Sequence, residues 1–119
     1  MVWAVLFDED FAAEFARFPQ DAQTALLATA RLLEMFGPQL ARPHVDTLKG
    51  SKHANMKELR FEAAGGAWRS AFAFDPLRQA VVLVAGDKSG ESQTRFYRRL
   101  IAIADKRLDA HLARQKKGN

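Results

Sequence analysis

Cysteine is absent from this 119-residue chain, and histidine, proline and tyrosine are scarce. Without cysteine the chain can form neither disulfides nor thiolate metal sites, so a reducing cytoplasm is the setting we expect. Its three histidines, His44, His53 and His111, are too far apart in the sequence to have metal-ligand spacing. No glycine-rich phosphate loop follows a strand and opens a helix. These absences disfavour metalloenzymes and P-loop nucleotide-binding enzymes, and we expect no metal or cofactor.

The chain also lacks any apolar run of the roughly 20 residues that a membrane-spanning helix needs. Its first residues have no basic segment before the apolar run and turn acidic at Asp8, unlike a signal peptide. Hydrophobic residues still make up 48% of the chain, which is enough for a core. With no internal repeat or linker, residues 1–119 are predicted to form a single soluble cytoplasmic domain without a membrane partner.

Positive charge is distributed unevenly along the sequence. Residues 1–48 contain three cations and seven anions, a net charge of −4, whereas residues 49–119 contain 15 cations and seven anions, a net charge of +8. Such a split favours a polyanionic partner, usually nucleic acid, or an acidic protein partner. An ordinary solvated basic surface is the alternative.

Three runs in the second half are strand-like, and the first two alternate apolar and other residues with a period of two, which predicts strands with one buried side. The runs are Met56–Ala63, Trp68–Asp75 and Ala80–Ala85, joined by turn signals at Gly65-Gly66 and Asp75-Pro76. The first two place an arginine, Arg60 or Arg69, on the face opposite their large apolar side chains. An apolar run without alternation, Val2–Phe7, predicts a strand that is buried on both faces and pairs into the middle of this meander.

Helical periodicity precedes and follows the meander. Acidic residues 8–10 favour a helix start, and the phenylalanines that follow at helical spacing predict core packing rather than a cofactor-binding stripe. A second helix is predicted from Pro19 to Gly37-Pro38, and a third from Ser92 to about Gln115. Residues 38–55 are expected to be an irregular connection.

The predicted fold class is α+β. It comprises a small antiparallel sheet of about four strands, covered on one face by an N-terminal helical hairpin, with a C-terminal helix. The other sheet face, which carries Arg60 and Arg69, is expected to remain open to a ligand.

The candidate site is a group of cations on that face. Arg60 and Arg69 lie on adjacent strands, so their guanidinium groups can clamp a phosphodiester and stabilise charge developing on phosphorus. Crowding by other cations lowers the pKa of a lysine, which suits Lys57 or Lys88 for proton transfer. Tyr97 can orient a ribose hydroxyl or stack on a base. Solvated cations beside a half-buried tyrosine are the alternative interpretation.

Other basic residues extend this group. The loop from Lys49 to His53 either contacts phosphates or is simply solvated, and the last helix carries arginines on its polar face. The candidate RNA contacts are Lys49, Lys52, His53, Lys57, Arg95 and Arg98.

Five short motifs lie on the meander and the last helix. They are ELR at Glu58–Arg60, WR at Trp68-Arg69, AFAFDP at Ala71–Pro76, LVAGDKSG at Leu83–Gly90 and RFYRRLI at Arg95–Ile101. Taken together they resemble the phage-derived, HigB-like branch of the RelE/ParE toxin superfamily, and the resemblance covers nearly the whole chain. It implies a toxin of a type II toxin–antitoxin pair that enters the ribosomal A site. There it would cleave mRNA, without a metal, by attack of a ribose 2′-OH on the adjacent phosphate.

The resemblance also implies roles for individual residues. Arg60 and Arg69 match the strand cations that bind phosphate and stabilise the transition state, and Lys88 and Tyr97 match the basic and C-terminal aromatic positions. Some members use a histidine near the C-terminus. Here His111 lies too far along the last helix to match, and His53 is only a weak candidate.

The implied partners are the ribosome with its mRNA and a helix-turn-helix antitoxin of the HigA type, with operator DNA bound only through the antitoxin. Two other functions remain open at this point. One is a ParE-like toxin that poisons DNA gyrase without cleaving anything, and the other is a degenerate member that only binds its antitoxin and operator.

Overall fold

The computed structural model describes residues 3–118 and has the predicted α+β architecture. Within these residues the helices are α1 (Glu9–Phe15), α2 (Gln20–Phe36), which a short 3₁₀ turn follows at Gly37–Gln39, and α3 (Gln93–Lys117). The strands are β1 (Ala4–Phe7), β2 (Val45–Thr47), β3 (Lys57–Ala63), β4 (Gly66–Phe74) and β5 (Gln79–Asp87). None of the helices described is long and apolar enough to cross a membrane.

Strands β3, β4 and β5 form the predicted antiparallel meander, with boundaries close to those expected from the alternation. The tight β3–β4 turn places Ala64 and Gly65 at positive φ, 50° and 77°, a conformation that glycine adopts without strain. In the pairing of β4 with β5, Ala71 lies opposite Val84, whereas the next residue of β4, Phe72, lies opposite Val82. One residue of β5 is therefore extra at this point. The extra residue is a β-bulge, which re-aims side chains locally and increases the twist of the sheet.

The prediction for Val2–Phe7 is wrong in both respects. β1 lies at the edge of the sheet, in the order β1-β5-β4-β3-β2, and runs parallel to β5. Its burial alternates, with Ala4 and Leu6 exposed and Val5 and Phe7 half-buried. The two hairpins of the meander keep β3, β4 and β5 hydrogen-bonded to each other, so only their outer edges can accept another strand. Val2 lies outside the described residues.

The connection between α2 and β3 is more ordered than expected. It contains β2, which pairs with β3 from Val45↔Leu59 to Thr47↔Lys57. The sheet therefore has five strands instead of about four, and it is mostly antiparallel because only β1 runs parallel to its neighbour. A strand of three residues is too short to show an alternating pattern in the sequence.

Helices pack on both faces of the sheet, which corrects the expectation of one open face. The helical hairpin α1–α2 covers one face as predicted, and the α1 phenylalanines are part of that core. α3 covers much of the other face. Its residues Phe96, Leu100, Ala104 and Leu108 pack against Ala71, Ala73, Val81 and Leu83. The alanines of β4 are therefore a seat for a helix, and the arginine-bearing face stays open only beside the N-terminal end of α3.

Polar contacts fix α3 along its length. At its start the Ser92 side chain accepts a hydrogen bond from the Arg95 backbone N–H at 3.2 Å. In its second half, Arg107 donates to the Glu14 carboxylate and to the Leu83 carbonyl. The first contact caps the helix locally, and the Arg107 contacts attach the second half of α3 to α1 and β5.

Candidate active site

Arg60 and Arg69 are direct cross-strand partners on β3 and β4. The tight turn between Ala63 and Gly66 fixes this register, so the two arginines share one face of the sheet as the sequence predicted. Like charges that lie opposite each other on neighbouring strands repel. The pair therefore needs a nearby anion.

Glu58 supplies the anion, because it lies on the same face two residues before Arg60. Its side chain is buried, with the residue 5% exposed. Arg60 Nη1 donates to Glu58 Oε2 at 2.9 Å, and the Tyr97 hydroxyl donates to Oε1 at 2.8 Å. Arg69 Nε lies 3.9 Å from the same Oε1. One carboxylate thus joins groups from β3, β4 and α3.

Arg69 is the most enclosed cation of this cluster, at 6% exposure. Its Nη1 donates to the Trp68 carbonyl oxygen at 2.8 Å. Its Nε is buried and has no hydrogen-bond partner among the residues that the structure describes. A buried donor without a partner costs free energy. Because this Nε is enclosed and lies 3.9 Å from Glu58 Oε1, Arg69 contributes to the cluster mainly as a buried positive charge.

The sequence reasoning missed Glu58, although it contained the signal. Glu58 and Arg60 are two residues apart on a strand with period-two alternation, and Arg69 is placed opposite by a tight turn. An acid on the same face as two arginines indicates an ion-pair cluster.

Lys88 follows β5 and approaches the cluster. Burial, with help from the positive charges of Arg69 and Arg60, lowers the pKa of Lys88, and the charge of Glu58 only partly opposes this. Burial, rather than the expected crowding by cations, is the larger cause of the lowered pKa of Lys88. A lowered pKa increases the fraction of neutral amine at neutral pH, as proton transfer requires.

The pKa of Tyr97 is shifted in the opposite direction, upward. Burial raises the pKa of its hydroxyl first, and the hydrogen bond to Glu58 raises it further. Tyr97 therefore remains protonated at neutral pH and acts as a hydrogen-bond donor.

Apart from Arg69, the side chains of this cluster border an open concavity of about 480 Å³ between β2, β3 and the start of α3. Its lining includes Lys49, Glu58, Arg60, Lys88, Gln93 and Tyr97. A concavity of this size suits a small ligand or a short stretch of single-stranded nucleic acid. Among the chain segments described, no group of three or more His, Asp or Glu side chains is placed to hold a metal ion.

The six candidate RNA contacts divide into two groups. Lys49 is exposed and lines the concavity, and Lys57 is half-buried at the start of β3. Arg95 and Arg98 are exposed on the first turns of α3. Of the six, only Lys49 is in the lining of the concavity, and Lys52 and His53 form the second group.

Lys52 and His53 instead attach their loop to the second half of α3. Lys52 forms an ion pair with Asp109, and His53 Nε2 lies 2.8 Å from Asp109 Oδ1. His111 is also engaged, because its Nε2 lies 2.9 Å from Asp75 Oδ2 near the β4–β5 turn.

Comparisons with known proteins extend this description. The family model for phage derived protein Gp49-like (DUF891) matches residues 13–109. The chain is 45% identical over 104 residues to "Putative toxin HigB3" of Mycobacterium tuberculosis, which covers 87% of this chain and 89% of that protein. It is also 47% identical over 89 residues to "Putative toxin HigB2" of the same organism, covering 74% and 44% respectively.

A solved structure shares the fold. It is a mutant of the Escherichia coli toxin RelE in the free state, with a TM-score of 0.60 over 86% of this chain and 96% of that one. Sequence identity in this comparison is 12%, so the similarity concerns the fold alone.

Proposed function

Because the chain belongs to the phage-derived Gp49-like family, we propose that it is the HigB-type toxin of a type II toxin–antitoxin pair and that it cleaves mRNA on the ribosome. The observation that supports cleavage is the arrangement of Arg60, Arg69, Lys88 and Tyr97 around the buried Glu58 carboxylate, beside an open concavity. This cluster combines phosphate-binding cations, a lysine with lowered pKa and a protonated hydroxyl.

The proposed reaction is attack of a ribose 2′-OH on the adjacent phosphate, which forms a 2′,3′-cyclic phosphate. The bond from phosphorus to the 5′ oxygen of the next nucleotide breaks, and that oxygen takes up a proton from solvent. Arg60 uses one donor on Glu58 and retains others for the phosphate, while Arg69 adds a second positive charge. Both stabilise the negative charge that develops on the phosphate oxygens in the transition state. Lys88 in its neutral form accepts the proton of the attacking hydroxyl. Tyr97 orients the ribose, and Glu58 positions Arg60 and Tyr97.

We also propose a helix-turn-helix antitoxin of the HigA type as partner, with operator DNA bound through that antitoxin. The relatedness to proteins named as HigB toxins supports this partner. The ribosome and its mRNA are the targets.

The test is to induce the protein in cells and to map mRNA 5′ ends, beside a control with purified mRNA and no ribosomes. We expect new cuts in phase with codons in cells and none without ribosomes. Arg60→Ala lowers cleavage by about 100-fold or more, because it removes a donor to developing charge. Arg31→Ala, on the exposed side of α2, is the matched control and leaves cleavage unchanged.

Two results contradict the proposal. DNA breaks without new RNA ends would indicate a toxin that poisons gyrase. Antitoxin binding without toxicity or RNA cuts would indicate a degenerate member of the family.

A further inference from the structure

The loop between β2 and β3 follows one ridge of α3. The ridge consists of residues at intervals of four, Tyr97, Ile101, Asp105 and Asp109. Successive loop residues share a contact or a lining with successive members of it, in the pairs Lys49 with Tyr97, Gly50 with Ile101, Ser51 with Asp105 and Lys52 with Asp109. The loop therefore begins at the candidate site and ends on the second half of the helix.

Two acids of α3 make the polar contacts to this loop. Asp105 accepts hydrogen bonds from the Ser51 hydroxyl and, at 3.2 Å, from the Lys52 backbone N–H. Asp109 pairs with Lys52 and with His53, and the hydrogen bond from Lys52 is the main cause that lowers the pKa of the Asp109 carboxyl. These are the only acids of α3, against eight cations. The helix thus uses both of its acids to hold the loop.

The base of the loop is fixed independently of these acids. Leu48 N–H donates to the Met56 carbonyl oxygen at 3.0 Å, and both side chains are buried in the core beneath α3. Next to this base, Gly50 has a φ of 100°, and a β-carbon there would lie 3.4 Å from Ile101 Cδ1. Loss of the acids is therefore expected to release the middle of the loop while its base stays in place.

We infer that Asp105 and Asp109 are positioning residues for Lys49, because they hold the loop along α3 and so set where the Lys49 amine meets an RNA phosphate in the concavity. The inference rests on the proposed ribonuclease function and deepens it. It also reverses the sign of a simple charge effect. Removing an acid ordinarily strengthens binding to a polyanion, whereas removing Asp105 is expected to weaken it.

A double-mutant cycle between Asp105 and Lys49 tests the inference. Binding of a single-stranded RNA oligonucleotide is measured across a salt series for the wild-type chain, Asp105→Ala, Lys49→Ala and the double variant. Alanine is a good helix former and the base of the loop is retained, so Asp105→Ala is expected to fold, as thermal melts will show. Asp21→Ala removes the same charge from an exposed position on α2, beyond the sheet, and is the matched control.

We expect Asp105→Ala to weaken binding about fivefold at about 0.1 M salt, with a salt slope smaller by up to about one, the loss of one phosphate contact. In the Lys49→Ala background the same change has no further effect, because the contact that it positions is already gone. Asp21→Ala keeps or slightly raises the affinity.

A conservative variant separates position from charge. Asp105→Asn keeps an oxygen that can accept from the Ser51 hydroxyl, so we expect it to lose less affinity than Asp105→Ala although both remove one negative charge. In the cleavage assay on ribosomes, KM rises more than kcat falls, since Lys49 binds RNA and takes no part in the proposed proton transfer.

Two results would overturn the positioning role and leave the proposed function intact. One is an Asp105→Ala variant that binds RNA as tightly as the wild type or more tightly. The other is an equal loss of affinity with and without Lys49, which would mean that Asp105 acts on the fold as a whole. A wild-type protein that binds RNA and cuts none contradicts the proposed function alone, because the binding cycle requires no cleavage.

Discussion

Glu58 is the residue on which the candidate site depends. It is a buried carboxylate that accepts hydrogen bonds from Arg60 and Tyr97 and lies within ion-pair distance of Arg69. Without its charge, two neighbouring arginines face each other in a partly enclosed setting. Glu58 therefore stabilises the cluster and, at the same time, holds its cations in position.

We predict that Glu58→Gln lowers the free energy of unfolding by about 2–4 kcal/mol, because it leaves buried cations without a counter-charge. Urea denaturation measures this. In the cleavage assay kcat falls more than KM rises, since the arginines remain cationic and are no longer held in place. Glu62→Gln, two residues along the same strand and exposed, is the control and changes neither quantity. Equal loss in both variants would show that Glu58 has no special role.

Lys88 is expected to lower the free energy of unfolding, while its lowered pKa favours the proposed proton transfer. Its pKa is lowered in the folded protein, so the unfolded chain binds more protons between that pKa and the ordinary value of 10.5. Stability attributable to Lys88 therefore rises with pH across this window, and the charged lysine destabilises the fold below it. A neutral side chain relieves this penalty at pH 7.

Lys88→Met accordingly raises the free energy of unfolding at pH 7 by about 0.5 kcal/mol, a Tm increase of roughly 2–4 °C. The gain shrinks as the pH approaches 10.5. Cleavage is expected to fall at the same time, because the proposed proton acceptor is lost. Thermal melts at several pH values test this, and a variant that is less stable than wild type at pH 7 would refute it.

At the scale of elements, α3 is attached to the β4–β5 turn by one carboxylate. Asp75 accepts hydrogen bonds from the Leu77 and Gln79 backbone N–H groups and from the side chains of Gln79, His111 and Gln115, at 2.6–3.0 Å. Burial raises the pKa of Asp75, but the hydrogen bonds from His111, Gln79 and Gln115 together bring it below 3.8. The charged form is thus the one that the fold stabilises.

Asp75→Ala is expected to cost about 3–5 kcal/mol, because it leaves several buried donors without an acceptor. The contribution of Asp75 is present above pH 3.8 and is lost as the pH falls through the lowered pKa of the folded state. The stability difference between wild type and variant therefore narrows in acid. Denaturant titrations at pH 7 and pH 3 measure it, and a difference independent of pH would contradict the assignment.

The loop between β2 and β3 contains two lysines with different surroundings. Lys49 lines the concavity, while Lys52 is engaged by Asp109. We predict that Lys49→Ala weakens RNA binding and reduces the slope of log affinity against log salt by about one, the loss of one phosphate contact. Lys52→Ala has a smaller effect on both. Filter binding across a salt series tests this prediction. Equal effects of the two substitutions would show that Lys52 also contacts RNA.

The elements themselves were predictable because they rest on local patterns. Alternation predicted β3 and β4, an apolar run predicted β5, apolar spacing predicted the helices, and the tight turn predicted the Arg60–Arg69 pairing. Their arrangement depends on contacts between distant residues. The alanines Ala71 and Ala73 fit a solvent-facing surface or a helix seat equally well, and the sequence around Val5 does not specify whether a strand pairs at the edge or in the middle of a sheet. The family resemblance was confirmed, whereas the roles of the site residues remain proposals.

At the scale of the whole molecule, the sheet separates helices of opposite charge. The residues of α1 and α2 include five acids and one arginine, a net charge of −4. The residues of α3 include eight cations and two acids, a net charge of +6. Such a molecule is oriented by the field of a polyanion, with α3 toward it, and this steering weakens as salt increases. The candidate site lies at the N-terminal end of α3, on the face that such an approach presents.

The pairing of β1 at the sheet edge affects the order of folding during synthesis. Ala4 pairs with Gln79, so during synthesis β1 cannot pair until a segment 75 residues further along the chain has been made. At about 5–20 residues per second, that partner is synthesised roughly 4–15 s later. During this interval the phenylalanines of α1 have no sheet to cover them, and Tyr97 does not yet exist to meet Glu58. The contact between Glu58 and Tyr97, on which the candidate site depends, therefore forms only after β1 has gained its partner strand.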